Sequence, residues 1–174
     1  MKKEILFFIC LFIVVAFKPI NKIDKLINKE IKNTFLIDTF NTETILISEN
    51  IINKLPINIT NDNFKKITSN GKKMGYYYQG QAFGKVDYFD FLVVFDSDLV
   101  IKKVKILVYR EDRGGEIGSK RWLKQFIGKS MDNSLIYEKD IAGISGATIS
   151  AKSMTNQMDK LMNTIHILST KKSL

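Results

Sequence analysis

The chain has 174 residues, a length that suits one domain with an N-terminal segment and is short for two full domains. Its net charge of +9 admits nucleic acid, an anionic membrane or acidic ligands as partners. The lysines are spread along the chain and no nucleic-acid motif is present, so we expect no nucleic-acid binding. A single cysteine, Cys10, and a single histidine, His166, exclude a disulfide framework and argue against a Cys/His metal site.

The N-terminus has the pattern of a signal peptide or a membrane anchor. Lys2 and Lys3 precede an apolar run over residues 5–17, which is shorter than the roughly 20 residues that span a bilayer. We therefore expect residues 1–19 to direct the chain out of the cytoplasm, either as a cleaved signal or as a retained anchor. A buried N-terminal helix of a cytoplasmic protein is the alternative.

Residues 20–73 are expected to pack on, or link to, a domain formed by residues 74–174. Residues 20–33 place isoleucine and leucine at helical spacing with lysines between them, which predicts a basic amphipathic helix. That helix could lie on a membrane surface or pack on the domain. Further on, Asn61 or Asp62 could cap a short helix through Phe64 and Ile67 that ends at residues 69–71.

A β-hairpin is the clearest element of the second half. Tyr76–Tyr78 suggests a strand and Gly80–Gly84 a turn. Apolar residues then alternate with others over residues 89–95 and again over 104–108, on either side of a short Asp/Ser turn. One face of this hairpin is apolar and the other is mixed, as expected when one side packs on helices.

Two further stretches contain candidate ligand-binding residues. Residues 110–118 form a charged loop with three glycines, followed by Ser119 as the predicted cap of a helix ending near Gly128. Residues 145–148, Ser-Gly-Ala-Thr, lead into an amphipathic helix over residues 150–168. A small-residue turn at a helix N-terminus can hold a phosphate; on spacing alone the simpler interpretation is that Thr148 or Ser150 is a helix cap.

The stretch Ser145-Gly-Ala-Thr-Ile-Ser150 resembles the flavinylation motif of the FMN-binding domain family. That family includes the C subunit of the sodium-translocating NADH:quinone oxidoreductase and the G subunit of the Rnf complex. The resemblance covers about residues 74–168 and includes the order of hairpin, acidic glycine loop, helix end and motif. Ala142 stands where the family usually has Asp, and Asp140 lies two residues earlier.

The resemblance implies an α+β fold, with a twisted antiparallel sheet packed against helices. It also implies FMN joined through a phosphoester to Thr148 by a flavin transferase that uses FAD. The expected cofactor-binding residues lie in the motif and in the glycine loop: Ser145, Gly146, Ala147, Thr148, Ser150, Glu111, Gly115 and Gly118. Tyr109 and Trp122 are further candidate neighbours of the flavin ring, and either could instead belong to the core.

These features predict an electron-transfer flavoprotein on the extracytoplasmic side of a bacterial inner membrane, anchored or periplasmic. Its expected partners are the flavin transferase, redox proteins in or outside that membrane, and the membrane itself through the N-terminus. One alternative is a module of the same fold that binds a phosphate-bearing ligand or a partner without covalent flavin. The other is an extracytoplasmic flavin reductase.

Overall fold

A computed structural model describes residues 21–171 and 173–174. The predicted signal or anchor at residues 1–19 and Cys10 lie outside the described residues. Over the part that is described, no helix combines the length and the apolar character needed to cross a bilayer.

The fold is built on a five-stranded antiparallel sheet whose strands neighbour one another in sequence order. The strands are β1 Asn41–Thr44, β2 Phe64–Ser69, β3 Lys72–Phe83, β4 Tyr88–Asp96 and β5 Ile101–Val108. The helices are α1 Lys22–Phe35, α2 Glu49–Ile52, α3 Lys120–Leu123 and α4 Thr148–Thr170, with 3-10 turns at Gly115–Gly118 and Lys124–Phe126. Such an architecture confirms the predicted α+β class with an antiparallel sheet.

The two long helices cover opposite faces of the sheet. Phe89 and Phe91 of β4 pack in the same core as the buried face of α4. Leu92 and Val94, which alternate with them, pack in a second core with Ile27 and Ile31 of α1. The prediction of a mixed second face is confirmed for β4, since this face carries Asp90 and Asp96 as well as Leu92 and Val94, and α1 covers its apolar middle.

Residues 64–69 form β2 and not the predicted helix. Phe64 and Ile67 are three residues apart, a spacing that also fits a helix, but both are buried by the sheet. Asn70 and Gly71, at the end of the predicted helix, adopt φ values of 49° and 74°. Two successive residues with positive φ are typical of the tight turns that join adjacent strands, and here the turn joins β2 to β3.

The predicted turn at Gly80–Gly84 is also wrong, because β3 continues to Phe83. Gly80 lies inside this strand, opposite Phe91. A Cβ at Gly80 would come within 2.4 Å of the Tyr78 ring and 2.7 Å of the Phe91 ring. Gly80 is thus required by the packing of two aromatic rings, and the chain reverses direction only after Phe83.

Candidate functional site

Thr148 is the first residue of α4, and its side chain is exposed. Ala147 is the N-cap, and no side chain caps this helix end among the described residues. The prediction that Ser150 or Thr148 caps the helix is therefore wrong. The N–H groups of the first turn of α4 lack intrahelical acceptors, and the helix dipole places partial positive charge there.

Ser150 instead joins the first turn of α4 to the glycine loop. Its side chain is 3% exposed and its Oγ lies 3.1 Å from the Tyr109 hydroxyl. That hydroxyl donates a hydrogen bond to the carbonyl of Arg113, at 2.9 Å. Since the Tyr109 hydroxyl donates its proton to the Arg113 carbonyl, the Ser150 hydroxyl is the donor in the hydrogen bond between the two hydroxyls.

Gly146 brings the motif close to the same loop. It has a φ of 86°, in the region that favours glycine. A Cβ at this position would lie 3.0 to 3.1 Å from the carboxyl atoms of Glu116. Gly146 therefore allows both the sharp turn before α4 and the close approach of the Glu116 carboxylate.

A groove of about 730 Å³ opens on one side of Thr148. Its walls come from the end of β3, the segment 135–137 and the first three turns of α4. The lining residues are Phe83, Gly84, Leu135, Ile136, Tyr137, Thr148, Ile149, Lys152, Ser153, Thr155, Asn156 and Asp159. The volume is typical of small-molecule sites, and apolar walls with a few polar groups suit a flat aromatic ligand.

A smaller cleft of about 280 Å³ includes Thr148 on its wall as well. It is lined by Lys85, Tyr109, Glu111, Arg113, Gly114, Gly146, Ala147, Thr148, Ile149 and Ser150. Lys85 and Arg113 supply positive charge near the N-terminus of α4. Such a combination of cations and free N–H groups can hold a phosphate.

Two carboxylates around the site are held by backbone N–H groups. Hydrogen bonds from the N–H groups of Val86 and Asp87 lower the pKa of Glu111. Glu111 thereby fixes the turn between β3 and β4, which forms one rim of the site. For Asp140, hydrogen bonds from the Ser134 hydroxyl and the Ile136 N–H lower the pKa.

The predicted site residues fall into two groups. Five of them line the cavities on the two sides of the motif: Thr148, Gly146, Ala147, Ser150 and Glu111. Of the others, Ser145 is exposed beside Gly146, and Gly115 begins a 3-10 turn. Gly118 lines a separate cleft beside Lys120. Contact of each of these residues with a cofactor stays a prediction.

The two aromatic candidates, Tyr109 and Trp122, lie in different environments. Tyr109 lines the smaller cleft. Trp122 is 3% exposed and packs edge to face on Phe126 in the core. Its indole N–H donates to the carbonyl of Ala142, at 2.7 Å. Trp122 therefore supports the segment that leads into the motif.

Sequence reasoning missed the residues that reach the site from other elements. Lys85 comes from the turn after β3, and Ile136 from the segment before the motif. Phe83, Ile136 and Ile149 are 44%, 46% and 52% exposed, which is unusual for large apolar side chains around one cavity. The sequence does indicate a turn near these residues. The prediction placed it at Gly80–Gly84, whereas β3 continues to Phe83 and the turn follows it.

Together these features define a ligand-binding α+β protein whose site suits a flat aromatic group on one side of Thr148 and a phosphate at the helix N-terminus. Residues 84–163 match the model of the FMN-binding domain. These residues belong to the FMN-binding domain family, and the chain is a flavin-binding protein. A comparison with curated proteins finds no match.

Proposed function

We propose that the protein is an extracytoplasmic electron-transfer flavoprotein that carries FMN through a phosphoester on Thr148. The observation that carries the proposal is the position of Thr148. Its exposed side chain stands at the N-terminus of α4, where the 730 Å³ groove and the 280 Å³ cleft meet.

The residues around Thr148 suit the attachment chemistry. In a transfer from FAD, the Thr148 hydroxyl would lose its proton and its oxygen would form an ester bond to the phosphorus of the FMN half, while the pyrophosphate bond of FAD breaks and AMP leaves. Lys85, Arg113 and the first turn of α4 would neutralise the charge of the bound phosphate, the helix end contributing about 0.3–1 kcal/mol at an exposed site. Gly146 and Ala147 leave room for a transferase to approach.

The groove supports the role of a carrier. Bound FMN supplies the redox chemistry, while the chain holds it and limits its contact with water. Of the described residues that line the groove, Asp159 is the only carboxylate. Both of its oxygens accept hydrogen bonds, one from the Leu135 N–H and one from the Asn163 amide. A carboxylate engaged in this way is poorly placed for proton transfer to a substrate, which favours electron transfer over turnover.

The location and partners follow from the N-terminal sequence. Lys2 and Lys3 followed by the apolar run at residues 5–17 support export, with the domain on the extracytoplasmic side of a bacterial inner membrane. A covalent link is useful there, since lost FMN could not readily be replaced. The partners would be the flavin transferase and membrane or extracytoplasmic redox proteins.

Covalent attachment is tested by asking whether flavin stays bound to the denatured chain. The full chain is co-expressed with a flavin transferase and exported, and its intact mass and in-gel flavin fluorescence are measured after denaturation. Thr148→Ala is expected to lose the flavin and Thr148→Ser to retain it. Thr170→Ala, the same change at an exposed position at the other end of α4, is the matched control and should retain the flavin. Flavin retained by denatured Thr148→Ala would overturn the proposal.

A further inference from the structure

The solvent side of α1 carries a stripe of lysines. Lys22, Lys25, Lys29 and Lys32 are spaced by three or four residues and all are exposed. This spacing places them on one face of the helix. Ile27 and Ile31 lie on the opposite face, at 4% and 0% exposure, in the core beneath the sheet.

A second group of lysines adjoins this stripe. A cleft of about 500 Å³ lies between α1, β5 and the start of α3, and its lining includes Lys102, Lys103, Lys105, Lys120 and Lys124. Acidic residues are few on this side. Glu30 is paired with Lys103 at 3.4 Å, and Asp24 is exposed on α1. We call the four lysines of the stripe and the five of the cleft the basic face.

The sequence before α1 indicates what the basic face meets. Only residues 18–21 separate the apolar run at 5–17 from the first residue of α1. Four residues span at most about 14 Å, so α1 stays close to wherever the apolar run enters a bilayer. Lysines near an anionic lipid surface are attracted to it. This attraction adds to the membrane-binding free energy that an inserted apolar segment supplies.

We propose that the basic face docks on an anionic phospholipid bilayer and so fixes the orientation of the whole domain. α4 covers the opposite face of the sheet from α1. Docking through the basic face therefore leaves Thr148 and both of its cavities on the side of the sheet turned away from the lipid, open to water-soluble proteins. The inference concerns orientation and does not depend on covalent flavin.

Lysine acylation of the full chain tests this orientation. The chain is reconstituted in nanodiscs of phosphatidylcholine alone or of an equimolar mixture with phosphatidylglycerol, and acylation at each lysine is followed by mass spectrometry. On the anionic discs we expect Lys25, Lys29 and Lys32 to be acylated at about one third of their rate on phosphatidylcholine discs, or more slowly still. High salt should remove this protection, because it screens the attraction. Lys54 and Lys139, exposed on other elements, should react equally on both discs.

A matched pair of triple variants separates the basic face from net charge. Replacing Lys25, Lys29 and Lys32 by Gln is expected to abolish the lipid-dependent protection of Lys102 and Lys105. Replacing the exposed Lys54, Lys72 and Lys139 by Gln removes the same charge and should leave that protection unchanged. Equal acylation of the basic face on both kinds of disc would overturn the proposal, as would a chain that does not stay with anionic discs. Either result would point to an acidic protein as the partner of this face.

Discussion

Gly146 joins the glycine loop to the motif through its backbone. Gly146→Ala would place a methyl group at a φ of 86° and 3.0 Å from the Glu116 carboxyl carbon. We expect this variant to lose about 1–3 kcal/mol of stability and to take up less flavin. Denaturant unfolding and the flavin content of the denatured protein measure the two effects.

Gly115→Ala is the control for that experiment. A Cβ at Gly115 meets no atom within 4 Å, and its φ is not in the left-handed region. Stability should therefore match that of the unmodified chain. If both alanine variants were equally stable, the close fit between Gly146 and Glu116 would contribute nothing to stability.

Arg110 neutralises a carboxylate inside the sheet. Asp90 is 2% exposed, and its carboxylate is paired with Arg110 and accepts a hydrogen bond of 2.7 Å from Gln81. Removing one partner of a buried pair leaves an uncompensated charge. Arg110→Ala is therefore expected to cost about 3 kcal/mol in urea unfolding, and Arg110→Lys distinctly less. Arg121→Ala, at an exposed position, should be close to neutral.

Single residues also show where sequence reasoning stops. The role of Thr148 as first residue of a helix could be read from the small residues before it. The contact of Ser150 with Tyr109 joins residues 41 positions apart and has no local signal. Serine favours the N-cap position, which predicts Ser150 as a cap, but Ser150 lies within the first turn of α4 and is buried by its contact with Tyr109.

At the scale of elements, α1 packs on one face of the sheet and forms a core with it. Ile31 is fully buried against the face of β4 that carries Leu92 and Val94. Ile31→Ala is expected to cost about 2–4 kcal/mol, because it leaves a cavity in that core. Leu36→Ala, at a side chain that is 90% exposed at the end of the same helix, should change stability little. Thermal or urea unfolding compares the two, and equal losses would mean that α1 does not pack as described.

Long periodic elements were predictable and short ones were not. β4, β5, α1 and α4 each have eight residues or more, so their alternation or helical spacing is long enough to identify the element. β2 has six residues, and its two large apolar side chains, Phe64 and Ile67, face opposite sides of the sheet at a spacing of three, which is also the spacing of a helix. Gly80 looked like a turn residue because the rings of Tyr78 and Phe91, which exclude a side chain there, meet only in the folded sheet.

For the molecule as a whole, three carboxylates with lowered pKa contribute to the loss of stability in acid. The Lys66 hydrogen bond lowers the pKa of Glu43, and the hydrogen bonds to Glu111 and Asp140 lower theirs. A lowered pKa in the folded state adds stability above the ordinary values of 4.5 for Glu and 3.8 for Asp, and this is lost as the pH falls through the folded-state values. The unfolding free energy should decline as the pH falls below the ordinary pKa values of these groups. The decline should be less steep for Glu111→Gln than for the unmodified chain.

Two buried tyrosines set the alkaline limit. Burial raises the pKa of Tyr77 and of Tyr78 from 10.0 to about 12. Because the unfolded chain loses these protons first, their contribution is complete below pH 10.0 and is lost as the pH rises toward about 12. Titration by phenolate absorbance should show two late-ionising tyrosines whose ionisation coincides with unfolding. Tyr77→Phe should remove one of them and make the decline shallower.

The pairing of β3 with β4 limits how the chain can be trimmed. The matched segment begins at residue 84, after β3 has ended, yet β4 pairs with β3 from Gly75–Asp96 to Phe83–Tyr88. A truncated chain of residues 84–163 would keep the recognisable part of the domain but lose a neighbour along all of β4. It would also lose the cover that α1 gives Leu92 and Val94. Such an open apolar edge invites aggregation, so soluble expression should require a start before α1 and not at the family boundary.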